Sequence, residues 1–169
     1  MKKFKIQTFV ICVLSFVILV PSAYAMGEAP RKSSLQRVIP MAVDFALKDL
    51  NGNNVKLNSF RGKKVLLTFG ATWCPYCVAE VEELNAFFDK HQDKDVKVLS
   101  VDIRESLEKV SLFAQKNKIK YTVLLDEGGE VAKKYNVYGI PAVFLIDENG
   151  LVKYNGAGKP EGGFEALLK

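Results

Sequence analysis

The sequence predicts an α/β fold: a mixed central sheet with helices on both faces, an N-terminal β-hairpin, and a helix–strand pair in mid-chain. Three observations predict it. From residue 65 onward, apolar β-forming runs alternate with segments of helical period. Two turn signals, Asn51-Gly52-Asn53 and Asp147-Glu148-Asn149-Gly150, each lie between short strand-like runs and add an antiparallel hairpin at either end of the domain. The chain has 169 residues, 49% hydrophobic and 25% charged, which fits one globular domain with a leader segment.

Residues 1–25 stand outside the pattern. Lys2, Lys3 and Lys5 precede an apolar run over residues 9–20 broken only by Ser15, and Ala23-Tyr24-Ala25 is the small-x-small pattern that signal peptidase accepts. The run is shorter than the ~20 apolar residues a membrane-spanning helix needs. The expectation is a signal peptide cleaved after Ala25 and export to a periplasmic or other extracytoplasmic space. An uncleaved N-terminal membrane anchor is the alternative. Cys12 lies inside the run, far from the cleavage point, which argues against lipid attachment. Without residues 1–25 the chain keeps 21 basic and 19 acidic residues, a net charge of +2. With no long basic block, a nucleic-acid partner is not expected.

Residues 26–40, with Gly27, Pro30, Ser33, Ser34 and Pro40, show no apolar period and read as a linker; the domain is assigned to residues 41–169. Residues 45–47 and 55–57 form the first hairpin. Arg61-Gly62-Lys63 then breaks the chain before residues 65–69, a strand apolar enough to be covered on both faces. A helix follows from Pro75 to about Lys90, with proline at its first turn where its missing N–H does no harm. Its predicted inner stripe is Cys77, Val81, Leu84 and Phe88, with Phe87 also in the core and His91 an exposed end-of-helix residue. Next come a strand at 96–101, a helix at about 106–117 facing inward through Leu107, Val110 and Phe113 or Ala114, and a strand at 122–125. A short helix at 130–135, strands at 142–146 and 151–154, and the start of a last helix at Phe164, Leu167 and Leu168 complete the chain.

With Cys12 removed, two cysteines remain, Cys74 and Cys77. A disulfide between them closes too small a loop to stabilise the fold by restricting the unfolded chain, so the pair is placed for chemistry. Catalytic groups in α/β sheets collect at the carboxyl ends of strands, and Trp73-Cys74 follows the strand at 65–69. A helix N-terminus offers unpaired N–H groups and partial positive charge, both of which favour a thiolate at Cys74. Cys77, on the inner stripe, is then the resolving thiol that closes the redox-active disulfide and releases a mixed-disulfide partner. Structural zinc needs four ligands, and one Cys-x-x-Cys with the single histidine far down the helix does not supply them. Haem attachment would need histidine at Val78. No metal and no cofactor is therefore expected; a metal-binding module is the weaker alternative.

Ala71-Thr72-Trp73-Cys74-Pro75-Tyr76-Cys77, with Gly139-Ile140-Pro141 some 65 residues later, resembles the thioredoxin superfamily. Asp44-Phe45-x-Leu47-x-Asp49-x-x-Gly52 and Leu57…Arg61-Gly62-Lys63 narrow the resemblance to the TlpA/ResA-type exported thiol–disulfide oxidoreductases, over roughly residues 41–168. The resemblance implies a thioredoxin-like fold in which the helix and strand at about 106–125 are a central insertion. It also implies a cis Pro141 beside the disulfide, and substrate contact through Ile140 and Trp73. The implied activity is reduction of disulfides in partner proteins such as apocytochrome c, with recharging by a membrane thiol electron donor and no soluble cofactor. A monomer is expected. An oxidant or isomerase using the same site is the alternative, because Pro75-Tyr76 departs from the family's usual intervening pair, as do Gly70 and Val43 from its usual Trp and Pro. A peroxide-reducing site is not expected. The peroxiredoxin Pro-x-x-x-Thr-x-x-Cys loop would need Pro at Leu67 and Thr at Ala71.

Two acids complete the candidate set. Glu80 shares a side of the helix with Cys77, and relatives carry Glu there; it is assigned proton exchange with the thiols rather than a solvated role. Glu105, before a helix, reads first as dipole compensation, with a site-facing role as the alternative.

Overall fold

The computed structural model describes residues 40–91 and 94–169; the assigned signal segment, and the linker apart from Pro40, lie outside them. No helix among the described residues is long and apolar enough to cross a membrane. The elements run β1 (Ala46–Asp49), β2 (Asn54–Lys56), a 3-10 turn (Leu57–Phe60), β3 (Lys64–Gly70), α1 (Pro75–His91), β4 (Val96–Ile103) and α2 (Leu107–Lys116). They continue with β5 (Thr122–Asp126), α3 (Glu130–Lys134), β6 (Ala142–Ile146), β7 (Val152–Ala157) and a closing 3-10 turn (Phe164–Leu168).

The seven strands form one sheet in the order β2-β1-β5-β4-β3-β6-β7. β3, β4 and β5 are parallel, whereas β1, β6 and β7 join antiparallel, so the sheet is mixed as predicted. The first hairpin is fixed locally: Asp49 Oδ1 accepts the Asn51 and Asn53 N–H groups, at 2.9 and 2.8 Å. The Asn53 side-chain amide donates to Asp49 Oδ2 and does most to hold that carboxyl below its usual range. Asp147 closes the second hairpin in the same way, through the N–H groups of Asn149 and Leu151.

The period-two alternation of the strands builds two cores. Val65, Leu67 and Phe69 of β3 face Tyr135, Val131 and Phe144 on the α3 side. Leu66, Val98 and Val143 face Leu84 and Phe87 of α1, Val110 of α2 and Phe164. Helices thus cover both faces, and the carboxyl ends of β3 and β4 lie side by side in register, Gly70 opposite Asp102.

Four expectations are corrected. The buried face of α1 is Glu80, Val81, Leu84, Phe87 and His91; Val81 and Leu84 lie on it as expected, whereas Cys77 and Phe88 are only half-buried, Phe88 still packing against the core. Both polar residues on that face have partners: Glu80 accepts the Lys159 N–H, and His91 packs on Phe87 with ring centroids 4.5 Å apart while its Nε2 meets Glu165 Oε1 at 2.9 Å. His91 is therefore buried rather than exposed. Leu107 is 43% exposed because it opens α2, one turn ahead of the inward positions Val110 and Ala114. The closing segment is a 3-10 turn anchored by buried Phe164, not a helix start.

Candidate active site

The chain leaves β3 at Gly70, turns through residues 71–73 and enters α1 at Pro75. Cys74 occupies the cap position: its carbonyl accepts the Val78 N–H at 3.0 Å, and its own N–H donates to Ala71 O at 3.1 Å. Cys74 and Cys77 form a disulfide, with Cα atoms 5.2 Å apart. The Cys77 N–H, one of the helix's free donors, points at Cys74 Sγ at 3.2 Å. That is the hydrogen bond a Cys74 thiolate would use.

Burial runs opposite to expectation. Cys74 is only 3% exposed, and Cys77 is the more open of the two. The disulfide and the N–H···S contact hold the Cys74 sulfur back over the helix end, whereas Cys77 lies in the first turn, ahead of the buried stripe that begins at Glu80. Cys77 Sγ rests against the end of β3, where a Cβ on Gly70 would come within 3.3 Å of it. The asymmetry between the sulfurs therefore lies in Cys74's place at the helix end and not in its exposure.

The Ile140–Pro141 peptide is cis. Pro141 O accepts the Gly158 N–H at 2.9 Å, and the next N–H, of Lys159, donates to Glu80 Oε1 at 2.8 Å. Gly158 has φ +70°, and a Cβ there would fall 2.9 Å from Glu80 Oε1 and 3.4 Å from Pro141 Cγ, so the close approach requires glycine. The loop after β7 thus fastens Glu80 to the proline. Burial raises the Glu80 carboxyl above its ordinary value, against the opposing pull of the Lys159 N–H and charge.

Glu105 is buried beneath the active-site turn. It accepts the Thr72 N–H at 2.5 Å and the Thr72 hydroxyl at 2.8 Å, and pairs with Lys109. Burial alone would raise its pKa, but hydrogen bonds from Lys109, Thr72 and Asp102 outweigh it and hold the carboxyl low. Dipole compensation at α2 falls instead to Glu108 in the first turn. Two open grooves flank the cis-proline loop. One, of about 550 Å³, is lined by Trp73, Arg104, Lys133, Tyr138 and Ile140; the other, of about 580 Å³, by Tyr76, Pro141, Asn155 and Lys159. Trp73, Tyr76 and Tyr138 are 65%, 76% and 94% exposed, a large aromatic surface around the disulfide.

One residue at the site was missed. Asp102 is buried, and burial, the Glu105 charge and a hydrogen bond to Glu105 push its carboxyl up to about 8, against a smaller pull from Lys109. The strand was expected to end at Val101; it runs to Ile103, which carries Asp102 into the sheet. The available signal was a carboxylate inside the apolar run Val101-Asp102-Ile103.

Sheet order, the Cys-x-x-Cys disulfide at a helix N-terminus and the facing cis-proline define a thioredoxin-like protein. Residues 38–155 match the AhpC/TSA family, and the chain belongs to it. It is 37% identical over 111 residues to the thiol-disulfide oxidoreductase ResA of Bacillus thuringiensis subsp. konkukian, covering 66% of this chain and 64% of that relative. The chain thus spans slightly less than two thirds of the length of such relatives. Its match to ResA of Halalkalibacterium halodurans is 29% over 169 residues, covering 99% and 94% of the two chains. Among solved structures, StoA from Bacillus subtilis superimposes with a TM-score of 0.64 at 29% identity, over 75% of this chain and 94% of that one.

Proposed function

We propose that the protein is an exported thiol–disulfide oxidoreductase that reduces disulfides in partner proteins. The observation that carries this reading is the Cys74–Cys77 disulfide at the entrance of α1, with the Cys77 N–H directed at Cys74 Sγ and cis-Pro141 in the facing loop. In the reduced protein, the Cys74 thiolate attacks a partner disulfide and forms a mixed disulfide. Cys77 then attacks Cys74 Sγ, which restores the intramolecular bond and releases the partner as a dithiol. Trp73 and Ile140 provide contact surface for the partner chain. Glu80 exchanges protons with the thiols, and Glu105 holds the turn that carries Cys74. The absence of the peroxiredoxin Pro-x-x-x-Thr-x-x-Cys loop favours disulfide over peroxide chemistry within the family.

The leader pattern of residues 1–25 supports export, and the motif resemblance to the TlpA/ResA-type oxidoreductases implies apocytochrome c as the substrate class, with a membrane thiol donor recharging the protein. The test is electron transfer from the reduced protein to an oxidised Cys-x-x-Cys-His peptide. Transfer that disappears in Cys74→Ser supports the reading; no transfer to that or any other peptide disulfide overturns it.

A further inference from the structure

Asp102 has no part in the exchange as written, yet it is placed to take one. It is 7% exposed, and its Oδ1 has no hydrogen-bond partner among the described residues. Leaving such an atom unpaired costs about 1–3 kcal/mol, and native proteins hold few of them. Asp102 lines a small, partly open cavity of about 40 Å³ together with Cys77, Glu80, Thr68 and Tyr121, large enough for a bridging water. The β3–β4 register brings Asp102 there by setting it opposite Gly70, the residue against which Cys77 Sγ rests.

We propose that Asp102 is the proton donor and acceptor of Cys77, acting across this cavity through one water. The proposal rests on the reading of Cys74–Cys77 as an exchanging disulfide. When an external thiolate attacks Cys74 Sγ, the Cys74–Cys77 bond breaks and its electron pair stays on the Cys77 sulfur. That sulfur takes the Asp102 proton and becomes a thiol, while the external sulfur is oxidised into the mixed disulfide. In the opposite direction the Asp102 carboxylate takes the proton from Cys77. The resulting thiolate attacks Cys74 Sγ, and the partner sulfur leaves as a thiolate.

The surroundings fit both roles. Glu105 faces Asp102 from the end of β4, Lys109 from α2, Glu80 and Cys77 from α1, and Tyr121 from the approach to β5. Burial and the Glu105 charge keep Asp102 protonated at neutral pH, with its pKa at about 8. An ordinary thiol titrates at about 8.5, and general acid–base catalysis works best when the pKa lies near the working pH. Glu80, the other acid at the cavity, already accepts the Lys159 N–H.

The test is stopped-flow reduction of the oxidised full chain by dithiothreitol, with each rate divided by the dithiothreitol thiolate concentration. The corrected rate should fall about tenfold between pH 7 and pH 9 as Asp102 loses its proton in wild type, and Glu80→Gln, whatever its absolute rate, should keep a fall over the same pH range. Asp102→Asn should give a flat profile. A flat wild-type profile overturns the proposal, as does a fall that survives in Asp102→Asn or disappears in Glu80→Gln. If Asp102→Asn fails to fold, the other two profiles decide. The assay uses no protein substrate, so it stands apart from a failure of the peptide-reduction test.

Discussion

Glu105→Ala removes the acceptor beneath the active-site turn. Two donors from Thr72 converge on that carboxylate, the N–H at 2.5 Å and the hydroxyl at 2.8 Å. A hydrogen bond to a charged group contributes about 1.5–3 kcal/mol. The ion pair with Lys109, itself 56% exposed, adds at most about 1 kcal/mol. The hydrogen bond that protonated Asp102 donates to Glu105 is lost as well. The expected net loss is about 2–4 kcal/mol at neutral pH, read by urea unfolding of the oxidised protein as a lower midpoint at unchanged slope. The pH dependence has a definite sign. Burial pushes the Glu105 carboxyl up, but its hydrogen bonds hold it below the usual range. Its contribution is therefore fully present above the unfolded value of about 4.3 and is lost as pH falls through the lower folded value. The gap between wild type and Glu105→Ala should narrow in acid. A loss below about 0.5 kcal/mol, the scale of a surface substitution, or a gap that acid leaves unchanged, would refute the clamp.

Gly158→Ala should destabilise the protein by at least the ~1–2 kcal/mol that a left-handed conformation costs a residue bearing a Cβ, because φ is +70° and the added carbon meets Glu80 Oε1; an unchanged thermal midpoint would contradict the contact. Asp102, with a folded pKa pushed up to about 8, keeps a proton that the unfolded chain releases at about 3.9. Its contribution to stability therefore declines as pH rises from about 4 to about 8. Asp102→Asn should flatten that decline in denaturant titrations across the range, and parallel curves for the two proteins would count against the burial of the charge.

The sequence made the fold legible wherever a local rule decides the outcome. The unbroken apolar, β-forming runs at residues 65–69 and 142–146 marked buried strands, and Pro75 marked the start of α1. The turn residues at 51–53 and 147–150 marked hairpins that Asp49 and Asp147 do close. The cysteine pair and the cis-proline loop were legible because spacing and motif carry them. The burial of acids was not. Glu80, Asp102 and Glu105 are held by groups 79, 3 and 33 residues away, the Lys159 N–H, Glu105 and Thr72. The apolar stripe drawn through Cys77 and Phe88 left out Glu80 and His91, polar residues whose burial depends on distant partners, the Lys159 N–H and Glu165. The relative burial of the two sulfurs likewise depends on the disulfide and the helix-end contact, which spacing alone does not fix.

The central claim is that Cys74 attacks and Cys77 resolves, even though Cys74 is the more buried residue of the pair. Mixed-disulfide trapping on an oxidised Cys-x-x-Cys-His peptide, read by mass under non-reducing conditions, tests it most directly. Reduced Cys77→Ser should accumulate the peptide adduct through Cys74, whose thiolate keeps the helix end and the backbone N–H of residue 77, with no second thiol left to release it. Cys74→Ser should trap little or none. Equal trapping by both variants, or trapping by Cys74→Ser alone, would contradict the account.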